Sequence, residues 1–183
     1  MNTEQPETEI VVPEQDTGTQ PLLSVQDMQT YFFTDEGTVK AVDGASFEVH
    51  AGKTLGIVGE SGCGKSITAR SILQIIDRPG QIVGGQVKFS PNGVGGLNLL
   101  DLEPNGKEIR SIRGGEISMI FQEPMTSFSP VHTFGNQIIE AIRLHSSLEK
   151  KEAYDLAVDW MRRVGIPSPE QRMSEYAYQF SGG

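Results

Sequence analysis

Hydrophobic and polar positions change period several times along this chain of 183 residues. Residues 22–30 (LLSVQDMQT) open as a short strand, and Tyr31, Phe32 and Phe33 form an aromatic cluster before the turn-rich TDEG. Over residues 39–50 (VKAVDGASFEVH) apolar residues roughly alternate around Asp43-Gly44, the pattern of a strand pair. Ala51-Gly52-Lys53 predicts a turn. Residues 54–58 (TLGIV) predict a buried strand by length and β-branched content. From Lys65 the period lengthens: Ile67, Ser71, Ile72 and Ile75 fall at helical spacing, and Pro79-Gly80 stops the helix.

Residues 84–90 (GGQVKFS) predict a strand, residues 91–96 (PNGVGG) a loop and residues 108–115 (EIRSIRGG) a short helix. Residues 116–121 (EISMIF) predict a second core strand. Beyond Pro124 the composition turns helical, with one helix over residues 134–145 and another over residues 148–164. In the latter Ala153, Leu156, Ala157, Trp160, Met161 and Val164 make one apolar stripe, read as packing. Gly165 is placed to cap it and Pro167 to stop it. Strand, glycine loop, helix is the opening of an α/β unit. Three regions follow: residues 1–21, residues 22–124 as a mixed α/β core, and residues 125–183 as a mostly helical piece.

Charge changes the picture only at the N-terminus. Glu4, Glu7, Glu9, Glu14 and Asp16 supply five of the nine net negative charges, with no lysine or arginine among them, so residues 1–21 read as a disordered acidic tail. The remainder is mildly acidic, which makes nucleic acid a poor expected partner. A single cysteine, Cys63, excludes an intrachain disulfide framework and a cysteine-rich metal site. No run of 18 apolar residues and no basic-then-apolar leader occurs, so the expectation is an intracellular chain that does not span a bilayer.

Residues 59–66 (GESGCGKS) satisfy G-x-x-x-x-G-K-[ST] at every fixed position, between a predicted strand and a predicted helix. With glycine near 7% of ordinary sequence, accident produces the fixed positions in roughly 1% of chains of this length. Glycines let successive backbone N–H groups turn inward around phosphate oxygens, and the helix start adds its own. Lys65 serves as a point charge for the β- and γ-phosphates, and Ser66 offers Mg²⁺ a hydroxyl. Cys63 reads as a small residue tolerated in the loop. The pattern points to nucleotide binding without naming the work it drives.

Three further stretches narrow the class: residues 117–130 (ISMIFQEPMTSFSP), the ending YAYQFSGG, and the separation between the aromatic cluster and GESGCGKS. Together they resemble the nucleotide-binding subunit of an ABC transporter, in the dipeptide/oligopeptide (and nickel) uptake family of bacteria and archaea. The resemblance covers residues 22–183. It implies a P-loop NTPase of ABC type, the N-terminal portion of the nucleotide-binding domain, with an antiparallel β subdomain and part of the helical subdomain. It carries Gly59, Glu60, Ser61, Gly62, Cys63, Gly64, Lys65 and Ser66 onto the phosphate loop. Gln122 falls on the glutamine that contacts Mg²⁺ and the attacking water, a task that suits an uncharged carboxamide. Ser181, Gly182 and Gly183 fall on the start of the signature motif, which closes over ATP held by the opposite subunit. Phe32 and Tyr31 are both candidates for the aromatic that stacks on adenine, register favouring Phe32. Phe180 stands where leucine is common, and Ala177 and Tyr178 where this branch usually has proline and histidine.

What the resemblance implies for function is an ATPase with ATP and Mg²⁺ as cofactors, powering import of dipeptides or oligopeptides. Its implied partners are a second ABC ATPase subunit, identical or a paralogue, two integral membrane permease subunits and, indirectly, an extracytoplasmic solute-binding protein. It would sit peripherally on the cytoplasmic face of the inner membrane. Import of nickel or another small solute, and a soluble ABC ATPase without a membrane partner, are the alternatives. The family continues to an apolar strand ending in Asp-Glu and a switch histidine, neither of which follows here. The chain therefore reads as a fragment, with an incomplete parallel sheet and no hydrolysis of its own.

Overall fold

The computed structural model describes residues 20–93, 95–122 and 127–180. It divides after Arg113 into two units, each described by itself. The expected acidic tail lies almost wholly outside the described residues, as do Ser181, Gly182 and Gly183.

In the first unit, strands β1 (Leu23–Thr34) and β2 (Gly37–Val49) form a long hairpin, and β3 (Gly80–Phe89) and β4 (Leu97–Asn98) extend it to an antiparallel sheet of order β2-β1-β3-β4. The aromatic cluster is thus the second half of β1, and only Asp35 and Glu36 form the turn. Residues 39–50 are not a strand pair. Residues 39–49 belong to the single strand β2, because the register steps from Met28↔Ala45 to Gln29↔Asp43 and leaves Gly44 as a bulge rather than a turn. Val25, Met28 and Val87 fill the buried face of the sheet.

Helix α1 (Lys65–Ile72) ends before Ile75, earlier than the apolar spacing predicts. Gln74 takes a left-handed conformation, its N–H bonds Ser71 O, and Ile75 N–H bonds Arg70 O. That is a Schellman cap, which turns the chain away. Thr68, Ser71 and Leu73 are buried here, while Ile67, Ile72 and Ile75 are half-buried. Helix α2 (Lys107–Ile112) closes the unit, with Ile109 and Ile112 in its core.

Both predicted core strands are overturned among the described residues. Residues 54–58 form no strand and only one isolated bridge, at Ile57, and Val58 is 56% exposed. Residues 116–121 likewise join no ladder, and Ile120 is exposed. A buried strand needs neighbours on both sides. The turn at residues 50–53, closed by Lys53 N–H to His50 O, leads the chain off the end of β2 without giving it one.

The second unit is helical: α3 (Phe134–Leu144), α4 (Lys150–Arg163) and the short α5 (Pro169–Arg172). Thr133 caps α3, its hydroxyl accepting from Asn136 N–H, and Glu149 and Glu152 form a capping box on α4. Ile139, Ala153, Ala157, Val158, Met161 and Met173 make the core. The predicted α4 stripe is therefore right for Ala153, Ala157 and Met161 and wrong for Trp160 and Val164. Those two lie exposed, because the core closes on the side that holds Val158.

Candidate functional site

Helix α1 and the loop before it are shaped by close approach to β2. Gly64, the residue capping α1, has φ 96°, and a Cβ there would lie 2.2 Å from the Ala41 carbonyl oxygen. Any side chain would push the loop off the strand, so glycine is required both by conformation and by space. Thr68 N–H and its hydroxyl both bond Gly64 O, closing the first turn. The first N–H groups of a helix have no partner within it and carry the positive end of the peptide dipoles, and no side chain caps them here.

The Lys65 ammonium folds back over the loop, donating to Gly59 O at 2.8 Å and Glu60 O at 2.6 Å, with Cys63 Sγ at 3.4 Å. The Gly59 and Glu60 carbonyls it meets are neutral acceptors, so an anion entering here meets a positive charge. Glu60, Ser61, Gly62 and Ser66 are exposed, and Cys63 is half-buried. A cation of fixed position, exposed loop backbone and an adjacent hydroxyl make a donor set that fits a phosphate chain with its Mg²⁺.

Two connections anchor α1 away from this end. Ser71 Oγ donates to Ile67 O at 2.7 Å and lies 2.7 Å from Thr30 Oγ1 of β1. At the C-terminus, Arg113 Nε donates to Leu73 O at 2.7 Å and Nη2 to Gln74 O at 2.9 Å, while the Gln74 side chain bonds Leu99 O and Leu102 O. Burial pulls the Arg113 guanidinium below its ordinary value, though such a group stays charged at neutral pH. None of these anchors carries a sequence signature.

Tyr31 and Phe32, adjacent on β1, face opposite ways. The Tyr31 hydroxyl donates to Asp43 Oδ1 at 2.5 Å, and Lys40 Nζ lies 5.1 Å from the ring centroid and 3.1 Å from Asp43 Oδ2. The Asp43 hydrogen bond raises the Tyr31 pKa, and the Tyr31 hydroxyl, followed by Lys40, holds the Asp43 carboxyl below its usual range. One face of the Tyr31 ring is thus occupied by a cation. Phe32 is half-buried, paired with Val39 in the hairpin, two residues along β2 from the Ala41 carbonyl that touches the loop.

In the second unit Gln122 is exposed at the end of residues 116–121, and residues 123–126 lie outside the described residues. Phe180, the residue before Ser181, stacks on Phe134 at 4.5 Å, Phe134 meets Phe128 at 5.0 Å, and Arg172 sits over Phe180 at 5.3 Å. Among the described residues no group of three or more His, Cys, Asp or Glu is placed to hold a metal, and no helix is long and apolar enough to cross a membrane.

A family model described as ABC transporter matches residues 42–183. The chain belongs to the ABC transporter family. Among curated relatives it is 46% identical, over 88% of its length and 47% of the relative's, to a probable peptide ABC transporter ATP-binding protein of Sinorhizobium fredii. It is 43% identical, over 88% and 47%, to a dipeptide transport ATP-binding protein of Bacillus subtilis. An oligopeptide transport ATP-binding protein of the same organism matches at 43% over 88% and 48%. The chain spans about half the length of the curated relatives it matches. Among solved structures it resembles a dimeric bacterial ABC transporter cassette, with a TM-score of 0.69 at 18% identity over 87% of this chain and 63% of that one. A post-hydrolysis cassette bound to ADP and Pi gives 0.70 at 17% over the same shares. These likenesses fix the fold as an ABC-type cassette, α/β with an antiparallel sheet, as the sequence resemblance implied.

Proposed function

We propose that this chain is part of the ATP-hydrolysing subunit of an ABC importer that takes up dipeptides or oligopeptides. The observation that carries the reading is the Gly59–Ser66 loop, with the Lys65 ammonium held over it and α1 starting beneath. Relatives at 43–46% identity are named for peptide transport, which supports the cargo class.

In this reading Lys65 leaves the Gly59 and Glu60 carbonyls to bind the β- and γ-phosphates, and the loop N–H groups take the remaining oxygens. Ser66 and Gln122 are the residues proposed to hold Mg²⁺, which when bound screens the phosphate charge. Gln122 also orients the attacking water, and Phe32 rather than Tyr31 stacks on adenine, because Lys40 covers the Tyr31 ring and Asp43 ties its hydroxyl. Ser181, Gly182 and Gly183 close over ATP on a second ATPase subunit. Two permease subunits hold the pair on the cytoplasmic face of the membrane, and a solute-binding protein delivers cargo from outside.

Calorimetric titration with Mg-ATP tests the loop: Lys65→Ala removes a charge-assisted contact and weakens binding by about tenfold or more. Unchanged affinity contradicts the assignment. For cargo, the full-length protein reconstituted with its permeases is expected to drive ATP-dependent uptake of labelled dipeptide; uptake of nickel alone overturns the peptide reading.

A further inference from the structure

We propose that Thr30 and Ser71 form a brace that sets the distance between the base-stacking ring and the phosphate loop, so that they position the protein to prefer a nucleoside triphosphate over a bare triphosphate. This rests on the reading of Phe32 and the Gly59–Ser66 loop given above.

Both side chains are fully buried, at 0% exposure. Their hydrogens can be placed by elimination. Ser71 Oγ spends its proton on Ile67 O, so the 2.7 Å contact with Thr30 Oγ1 is a donation from Thr30 to Ser71. The result is a directional chain, Thr30 to Ser71 to the backbone of α1, with each hydroxyl proton used. A buried hydroxyl is unfavourable without a partner, and an apolar pair of the same volume would pack here equally well. What a hydroxyl chain adds is a single register between strand and helix.

That register is the one that matters for a nucleotide. Thr30 and Phe32 share a face of β1, about 7 Å apart. Ser71 lies about 9 Å along α1 from Lys65. The brace therefore joins the element bearing the ring to the element bearing the loop. The chain leaving α1 seats the same ring. A Cβ on Gly80 would come within 2.8 Å of Phe32 Cε1 and 2.5 Å of Ile76 Cγ2, and Phe33 N–H bonds Pro79 O. Base end and phosphate end are thus held on one frame. A ligand with only phosphates uses one end of it.

The test compares Mg-ATP with Mg-tripolyphosphate by calorimetry on the purified protein. Thr30→Val keeps the volume and removes the donor. Its expected effect is about fivefold weaker ATP binding, the loss of one buried hydrogen bond, with tripolyphosphate affinity unchanged within about twofold. Thr30→Ser, which keeps the hydroxyl, restores the ratio. Gly80→Ala, which displaces the ring without touching the hydroxyls, lowers the same ratio and serves if Thr30→Val does not fold. Equal weakening of both ligands means the pair only stabilises the fold, and an unchanged ratio in Gly80→Ala means the ring does not read the base. Either result overturns the proposal. Wild-type protein that binds neither ligand overturns the phosphate-loop reading and the brace with it. Wild-type binding of both, with a ratio indifferent to Thr30→Val, overturns the brace alone.

Discussion

Lys65 and Cys63 share one small volume, with Nζ 3.4 Å from Sγ, so whatever Lys65 binds covers the thiol. Mg-ATP is therefore expected to slow alkylation of Cys63 in an intact-mass time course, and prior alkylation with a bulky maleimide to block ATP. Equal rates with and without nucleotide would place Cys63 away from the phosphates. A second residue-scale expectation concerns pH. Asp43 is held below its usual range by the Tyr31 hydroxyl and then Lys40. A carboxyl depressed on folding adds stability above its unfolded value, about 4, and loses it as pH falls through the folded value. Tyr31 is raised by Asp43, so its contribution holds below about 10 and is lost as pH climbs through the folded value. Asp43→Asn should thus lower the denaturant midpoint at pH 7, by a margin that shrinks as pH falls below the unfolded value of about 4. A gap that widens on acidification contradicts the cluster. The Gly59–Ser66 loop is legible as a candidate site because its residue pattern is local. Tyr31 and Phe32 remained two candidates because alternation says that neighbours face apart and not which face meets a ligand.

At the scale of elements, two helix ends show what sequence signals can and cannot report. Helix α4 ends as its sequence predicts: Gly165, at φ 81°, donates to Arg162 O, and Ile166 N–H bonds Met161 O. Helix α1 ends in the same motif with Gln74 in the glycine position. Nothing local announces it, since the carbonyls there are held by Arg113, about forty residues on. A Cβ at Gly165 meets nothing within 4 Å, so Gly165→Ala isolates the conformational cost of left-handed backbone. The expected loss is about 1–2 kcal/mol in chemical denaturation. A loss near zero would mean the α4 cap relaxes freely. The two missed strands have the same origin as the missed cap. An apolar run states what a segment could bury, and the neighbour it would need is specified elsewhere in the chain. Trp160 and Val164 repeat this on a helix, where a broad stripe left open which part of it α3 and α5 cover.

On the whole molecule, the segments without ladders set the solution behaviour of the 183-residue chain. Ile120 is 93% exposed and Val58 56%, each in a segment that joins no ladder among the described residues. Exposed apolar segments with unpaired backbone groups readily meet a second copy. Opposing that is a net charge of −9, which repels copies at low salt. Screening shortens the reach of this repulsion to about 8 Å at 0.15 M salt and about 3 Å at 1 M, while apolar association strengthens. Self-association is therefore expected to rise with salt, the reverse of an ionic interface. Ile120→Asp adds charge where the apolar surface is most exposed. Because the side chain contacts so little, its cost to folding stays within about 0.5 kcal/mol. Light scattering across a salt series should show wild-type association rising while Ile120→Asp stays monodisperse to higher salt, with thermal midpoints that coincide. A midpoint lowered by several degrees would show that Ile120 is covered in solution. Association that falls with salt would show that charge, not the exposed apolar segments, draws the copies together.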